Sequence, residues 1–376
     1  MPRRIVFAPD SFKGSLDAAD AAEALARGWL RAHPDDEAVL RPMADGGEGT
    51  LDAFALAVPG AVRVPVRATG PDGRSVEAHW LRMPGAAADG GDLGLVELAS
   101  TSGITLLDPL RPVDAHTLGF GEAIAAALDA GVAGLLLAIG GSSSTDGGAG
   151  ALVALGAVLE DASGATIPPG ARGLEALARV DLSGLRALPP AGVRVLSDVT
   201  NPLTGPRGAA AVFGPQKGAT PDLVPVLDAA LADWASALSA AGRVVDPATP
   251  GAGAAGGTGF GLLAWGAELV GGADAVADAI GLRAAIAAAD LVVTGEGRFD
   301  DQSLDGKVPA LVLDAAAAAG GIQVALVAGG IAPDARPIAA DRFTAAIALT
   351  DLAGSVDAAR ADAARWLEAA GERLAG

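Results

Sequence analysis

Arg4-Ile5-Val6-Phe7-Ala8-Pro9-Asp10-Ser11-Phe12-Lys13-Gly14-Ser15 carries an apolar run into a polar, glycine-containing loop, and an amphipathic stretch follows it to Ala32. The pattern predicts a short buried strand over 4–8, a loop over 9–15 and a helix over 16–32 with Ser15 as its N-cap. The arrangement then repeats. Ala38 to Met43 reads as a strand, Ala44-Asp45-Gly46-Gly47-Glu48-Gly49-Thr50 as its loop, and Thr50 to Ala57 as its helix. Two loops at the carboxyl ends of parallel strands share one sheet edge, which is where α/β folds bind ligands.

Beyond them the texture changes. Val62 to Thr69 and Ser75 to Met83 alternate like strands around Gly70-Pro71-Asp72-Gly73, a hairpin signal foreign to a parallel sheet. The β/α rhythm returns near the other end, with strands at 291–294, 323–328 and 345–349 and helices around 308–319 and 356–374. The simplest arrangement is α/β: a discontinuous, doubly wound domain from residues 1–70 and 285–376, with a mixed α/β domain inserted at 71–284 and an active site expected in the cleft between them. The inserted part holds strands at 135–139 and 193–197 and a long helix from 221 to about 241. Its weakest stretch, 247–259, is rich in Gly and Ala and reads as a loop or hinge.

At 376 residues, 51% of them apolar, the chain can bury a large core and is no disordered or fibrous protein. It has no Cys, so disulfides, thiolate metal sites and sulfur redox chemistry are excluded. The apolar run after Arg3 and Arg4 is too short for a signal-peptide core, and no run of about 18 residues reads as a spanning helix. A cytoplasmic location is expected. A net charge of −19 argues against nucleic acid and anionic membrane as partners, since both would be repelled. Anionic substrates would need local reversal of that field by cations and backbone N–H groups.

Such cations are rare enough to be informative. Lys13, Lys217 and Lys307 are the only lysines among 26 basic residues, and each adjoins a glycine. A compact ammonium kept where arginine is otherwise preferred suggests a specific task, such as meeting a phosphate oxygen. The only Asn, Asn201, lies in Asp198-Val199-Thr200-Asn201-Pro202-Leu203-Thr204-Gly205, where a turn role and a binding role are both open.

Gly140-Gly141-Ser142-Ser143-Ser144-Thr145-Asp146-Gly147-Gly148-Ala149-Gly150 follows an apolar strand and opens a helix. Its glycines allow close approach, and its hydroxyls and N–H groups can donate to an anion, so it is the best phosphate cradle in the chain. No Gly-x-x-x-x-Gly-Lys-Ser/Thr occurs, and the protein-kinase elements are absent. Gly251-Ala252-Gly253-Ala254-Ala255-Gly256 matches a dinucleotide fingerprint but follows prolines rather than a strand, and is set aside as composition. His33, His79 and His116 are scattered, with no zinc-type spacing. Lys and Asp in glycine-flanked loops, together with a phosphate cradle, form the inventory that phosphoryl transfer requires.

Six of these segments, in order, carry a resemblance: 8–15, 42–50, the Ser/Gly loop, 198–205, Phe213-Gly214-Pro215-Gln216-Lys217-Gly218-Ala219, and the charged run from Thr294 to Lys307. Together the chain resembles the bacterial type I glycerate kinases over nearly its whole length. The resemblance implies a flavodoxin-like domain with a second α/β domain inserted, ATP and Mg²⁺ as cosubstrates, D-glycerate as acceptor, and 2-phosphoglycerate as product in preference to 3-phosphoglycerate. One departure is Thr145, where the family pattern has Asn.

On that basis Asp198 is expected as the base, Lys217 as electrostatic stabiliser and Lys13 as a third catalytic group. Substrate binding is expected from Asp10, Ser11, Asp45, Gly46, Gly47, Glu48, Asn201, Glu296, Arg298 and Lys307. The nucleotide phosphates are expected at Gly140, Gly141, Ser142, Ser143, Ser144, Asp146, Gly147 and Gly148. No metal ligand can be assigned, and a homodimer is the expected assembly. The rival reading is a non-catalytic sensor of an organic acid or nucleotide on the same fold.

Overall fold

The computed structural model describes residues 2–44, 46–87, 89–304 and 307–376; Asp45, Asp305 and Gly306 lie outside the described residues. In chain order the strands are β1 (Arg4–Pro9), β2 (Glu37–Leu40), β3 (Val62–Thr69), β4 (Ser75–Met83), β5 (Leu93–Glu97), β6 (Gly134–Ala138), β7 (Val158–Glu160), β8 (Arg179–Asp181), β9 (Val193–Leu196), β10 (Glu268–Val270), β11 (Leu291–Phe299), β12 (Val324–Ile331) and β13 (Ala345–Ala348). The chain divides into two compact units, Met1–Ala44 with Asp52–Pro59 and Ala273–Gly376, and Asp45–Leu51 with Gly60–Gly272.

The first unit carries a five-stranded sheet in the order β13-β12-β11-β1-β2, with every pair parallel. Counted by its own strands the order is 2-1-3-4-5, the doubly wound flavodoxin-like arrangement, whose switch point lies between β1 and β11. β1 is buried from Ile5 to Pro9, as the central position of a sheet covered on both faces requires. Phe7, Leu25, Trp29, Val293, Val327 and Leu367 share its core.

The first helix is Ala18–Ala32, and Asp17 caps it by accepting the Asp20 N–H at 2.8 Å. Ser15 does not cap it. Its hydroxyl donates instead to the Phe12 carbonyl at 2.8 Å and closes the Phe12–Leu16 turn. The predicted terminal helix is two, Val356–Ala361 and Ala363–Ala375, because Asp362 at φ −144° and ψ 55° leaves the helical region. β11 is longer than expected, reaching Phe299 against Ile331 of β12, so Glu296 and Arg298 stand on a strand rather than in a loop.

The second unit is built on a mixed sheet in the order β10-β9-β6-β5-β4-β3. β10, β9, β6 and β5 run parallel, and β4 and β3 add on antiparallel. β3 pairs with β4 along its length, from Val62 opposite Arg82 to Thr69 opposite Ser75. It therefore belongs to this unit, whereas the sequence boundary at 70 puts it in the first. Residues 273–284 likewise fall in the first unit rather than the inserted one.

Among the described residues one helix, Leu223–Ala240, is long and apolar enough by length and composition to cross a membrane, with a mean hydropathy of 1.3. It lays Leu227, Leu231, Trp234 and Leu238 on the core of the second unit. Of the segment read as a loop or hinge, residues 247–253 are turn, and the remainder begins a buried helix, Ala254–Trp265, which opens with a left-handed turn at Ala255 (φ 53°), Gly256 (φ 68°) and Gly257 (φ 87°). The glycines oppose a helix locally, and tertiary packing around Phe260, Leu262 and Trp265 decides the outcome.

Candidate functional site

In the second unit, β5, β6 and β9 end beside one another and deliver the loops that follow them. The Gly140 N–H donates to the Gly46 carbonyl at 2.8 Å, which ties the Ser/Gly loop to the Gly46-Gly47 turn. Ser143 fastens the same loop to the one after β5, its N–H and hydroxyl both donating to the Ser102 carbonyl at 3.1 and 2.8 Å.

Lys217 sits beneath that loop, 2% exposed. Its ammonium donates to Ser142 Oγ at 2.6 Å and to the Ser144 carbonyl at 2.5 Å. Burial drives Lys217 down from the ordinary lysine value to about 7, against the upward pull of the Asp146 carboxylate. Close by, the side-chain oxygens of Ser102, Ser144 and Thr145 are buried and have no hydrogen-bond partner among the described residues. Buried polar atoms are nearly always paired, so three orphans in this loop and at the Ser102 bonded to it mark a polar site with spare capacity.

The back half of the loop is different. Asp146 is completely buried and accepts from Thr117 N (2.9 Å), Thr117 Oγ1 (2.8 Å), Gly148 N (3.2 Å) and Gly150 N (3.2 Å). The Gly147 N–H donates to the Gly256 carbonyl at 3.1 Å, and Trp234 Nε1 donates to the Gly147 carbonyl at 3.0 Å. These N–H groups, expected to meet a phosphate, already meet the protein's own carboxylate and carbonyl.

Gly256 lies in the motif set aside as composition. A Cβ there would stand 2.0 Å from the Ser144 carbonyl oxygen and 2.9 Å from Lys217 Nζ. Only glycine allows the left-handed turn to press against the ammonium and the loop at once. Glu97, at the end of the wholly buried strand β5, accepts the Leu51 N–H at 3.1 Å. It too escaped the sequence reading, although an acid closing an otherwise apolar strand is a signal of its own.

In the first unit the carboxyl ends of β1 and β11 flank the switch point. The Ser11 N–H donates to Asp10 Oδ1 at 2.6 Å, and the Asp10 N–H to the Gly295 carbonyl at 2.7 Å. Glu296 is 7% exposed and its Oε1 has no hydrogen-bond partner among the described residues. Burial pushes its carboxyl up to about 7; the hydrogen bond from Ser303 and the charge of Lys307 oppose that, while Asp10 and Asp300 reinforce it. Arg298 lies 3.7 Å from Asp300, and Lys13 and Lys307 are exposed.

The chain matches the family described as the glycerate kinase family over residues 5–376. It belongs to the glycerate kinase family. Membership makes it a kinase, a phosphotransferase. Among relatives, it is 42% identical to glycerate kinase of Bacillus subtilis (strain 168), over 97% of this chain and 95% of that one. It is 44% identical to glycerate 2-kinase of Escherichia coli (strain K12), over 81% and 80%. A crystal structure described as glycerate kinase 2 from Salmonella typhimurium LT2 superposes with a TM-score of 0.82 at 39% identity, covering 100% of this chain and 98% of that one.

Within this family member the expected site residues fall into groups. Gly46, Gly47, Gly140, Gly141, Ser142, Ser143, Ser144 and Lys217 adjoin through the contacts above, and Asp10, Ser11, Glu296 and Lys307 gather at the switch point. Two further expected residues make contacts within the second unit. Asn201 Nδ2 donates to the Arg207 carbonyl at 2.8 Å and pins its own loop, which favours the turn role. Asp198 accepts the N–H of Gly272, first residue of the helix Gly272–Ala279, at 2.7 Å. Glu48 is exposed, and Asp45 lies outside the described residues.

Proposed function

We propose that the protein transfers the γ-phosphoryl group of ATP to the 2-hydroxyl of D-glycerate, giving 2-phosphoglycerate and ADP. The observation that carries this reading is the buried Lys217 ammonium, bonded to Ser142 and Ser144 of a loop that also holds the unpaired hydroxyls of Ser144 and Thr145, in a chain of the glycerate kinase family. Such a group is a point charge for a phosphate oxygen and has no evident use in a binding module. Gly140 to Ser144 with Lys217 would hold the nucleotide phosphates. On the first unit, Asp10, Ser11, Lys13, Arg298 and Lys307 would hold the acid and the migrating group.

In the step itself the glycerate hydroxyl oxygen bonds to the γ-phosphorus, the bond from that phosphorus to the β,γ-bridging oxygen breaks, and ADP departs. The hydroxyl proton passes to a carboxylate. Magnesium, when bound with the nucleotide, would supply charge neutralisation at the phosphates. Among the described residues no group of three or more His, Asp or Glu side chains forms a ready cage for it. That suits a metal carried in by the nucleotide, keeping mostly water and phosphate ligands. Incubation with ATP, Mg²⁺ and a panel of small hydroxy acids, followed by phosphorus NMR, tests donor, acceptor and position together. A 2-phosphate of D-glycerate is expected; turnover of another acid alone, or binding without turnover, refutes the reading.

A further inference from the structure

We propose that Glu296 is the residue that takes the proton from the acceptor hydroxyl. The proposal rests on the glycerate kinase reading and deepens it. Three structural facts support it.

First, Glu296 stands on β11 one residue past Gly295, which pairs with Pro9 at the end of β1, so it lies where β1 stops at the switch point of a 2-1-3-4-5 sheet, where doubly wound folds place their ligands. Second, its side chain is over nine-tenths buried, yet Oε1 has no hydrogen-bond partner among the described residues. A carboxylate in a merely structural role would have both oxygens satisfied, as Asp146 has with its four donors. Third, Asp198, the other candidate, is exposed and receives the Gly272 N–H, whereas Glu296 is buried.

The surroundings suit the task. Ser303, completely buried, bonds to Glu296 and also accepts the Asp300 N–H at 2.9 Å, which fixes the turn after β11. Asp10 from the end of β1 and Asp300 from that turn face the carboxylate with like charge, and Lys307 at the start of the helix Val308–Ala318 faces it with opposite charge. Burial and the two acids favour proton uptake; Ser303 and Lys307 keep an ionised fraction at neutral pH. When the substrate oxygen bonds to phosphorus, the O–H bond breaks and its proton moves to the Glu296 carboxylate. Loss of that proton to solvent after product leaves restores the enzyme.

The test is steady-state kinetics of the full chain with ATP, Mg²⁺ and D-glycerate from pH 5.5 to 9, comparing wild type, Glu296→Gln, Glu296→Asp, Ser303→Ala and Asp198→Asn. Glu296→Gln should lower kcat by about 10²–10⁴-fold while leaving both KM values within about threefold. Asp198→Asn should not. In wild type, kcat/KM should fall on the acid side of about pH 7. Ser303→Ala removes a bond to the ionised form, so that limb should move to higher pH, a shift that loss of stability alone cannot produce. Glu296→Asp should retain more activity than Glu296→Gln.

Turnover of Glu296→Gln within threefold of wild type overturns the proposal, and so does an acid limb that Ser303→Ala leaves in place. If Glu296→Gln fails to fold, the Ser303→Ala profile decides alone. A wild-type chain inert toward glycerate refutes the substrate reading and the proposal with it; an active wild type beside an equally active Glu296→Gln refutes the proposal only.

Discussion

Replacing Lys217 with Met should change how stability depends on pH in a way that isolates the buried ammonium. In the unfolded chain this lysine titrates at its ordinary 10.5; in the fold, burial brings it to about 7. Between those values the unfolded state holds a proton that the folded state has released, so wild-type stability rises with pH. The contribution is complete above 10.5, falls as pH drops toward 7, and is constant below that. The span of about 3.5 units corresponds to about 5 kcal/mol, or about 1.4 kcal/mol per pH unit inside the window. Met keeps the length and removes the charge. It strands Ser142 Oγ and the Ser144 carbonyl, at a cost of about 1–3 kcal/mol, but that loss is nearly independent of pH. Urea denaturation followed by far-UV circular dichroism at pH 7.5 and 9.5 gives the difference between the two proteins. Wild type minus Lys217→Met should grow by about 2–3 kcal/mol over those two units. A difference that stays flat refutes the buried, proton-releasing state of Lys217. Activity should fall by more than about 10²-fold in the same variant, since an interaction at the migrating charge is lost.

Substitutions at three further positions test other contacts. Gly256→Ala puts a Cβ 2.0 Å from the Ser144 carbonyl at φ 68°, so a loss of about 3 kcal/mol and a lower Tm by calorimetry are expected. Asp146→Asn cannot satisfy four donors with one amide oxygen and should cost about 3 kcal/mol in urea denaturation; a change under about 0.5 kcal/mol would show the network to be dispensable. Asp198→Ala should cost about 1 kcal/mol by loss of the bond to Gly272 at a helix start, whereas Asp198→Asn keeps an accepting oxygen and should hold kcat within about threefold.

Local patterns with one physical meaning are legible in the sequence. The hairpin of β3 and β4 matches its predicted ends at both strands, because alternation and a Gly-Pro-Asp-Gly turn admit few other readings. The parallel strands are legible as apolar runs, with ends up to five residues adrift, as at β11. Features fixed at long range are not. Ser15 and Asp17 are equally good caps in sequence, and the choice follows from Ser15 closing a turn on Phe12. β3 reads as well in either unit, and only its pairing with β4 assigns it. Gly256 is hidden for a different reason: in a chain with 53 glycines, a glycine that must be glycine looks like the rest. Its importance comes from Ser144 and Lys217, which are distant in sequence.

The same distinction divides the Ser/Gly loop. Read as sequence it is one cradle; folded it is two devices. From Asp146 onward its N–H groups are committed to an internal carboxylate that stands where an anion would, and Thr117 and Trp234 complete that frame. The front half keeps unpaired hydroxyls and a lysine whose hold on its proton burial has weakened to about 7. A permanently charged cation there would cost stability whenever the site is empty. A lysine near 7 avoids much of that cost, and any anion arriving beside Nζ favours its charged form again. On a molecule of net charge −19, a positive charge that strengthens when a polyanion enters reverses the local field where it is needed and leaves the rest of the surface strongly negative.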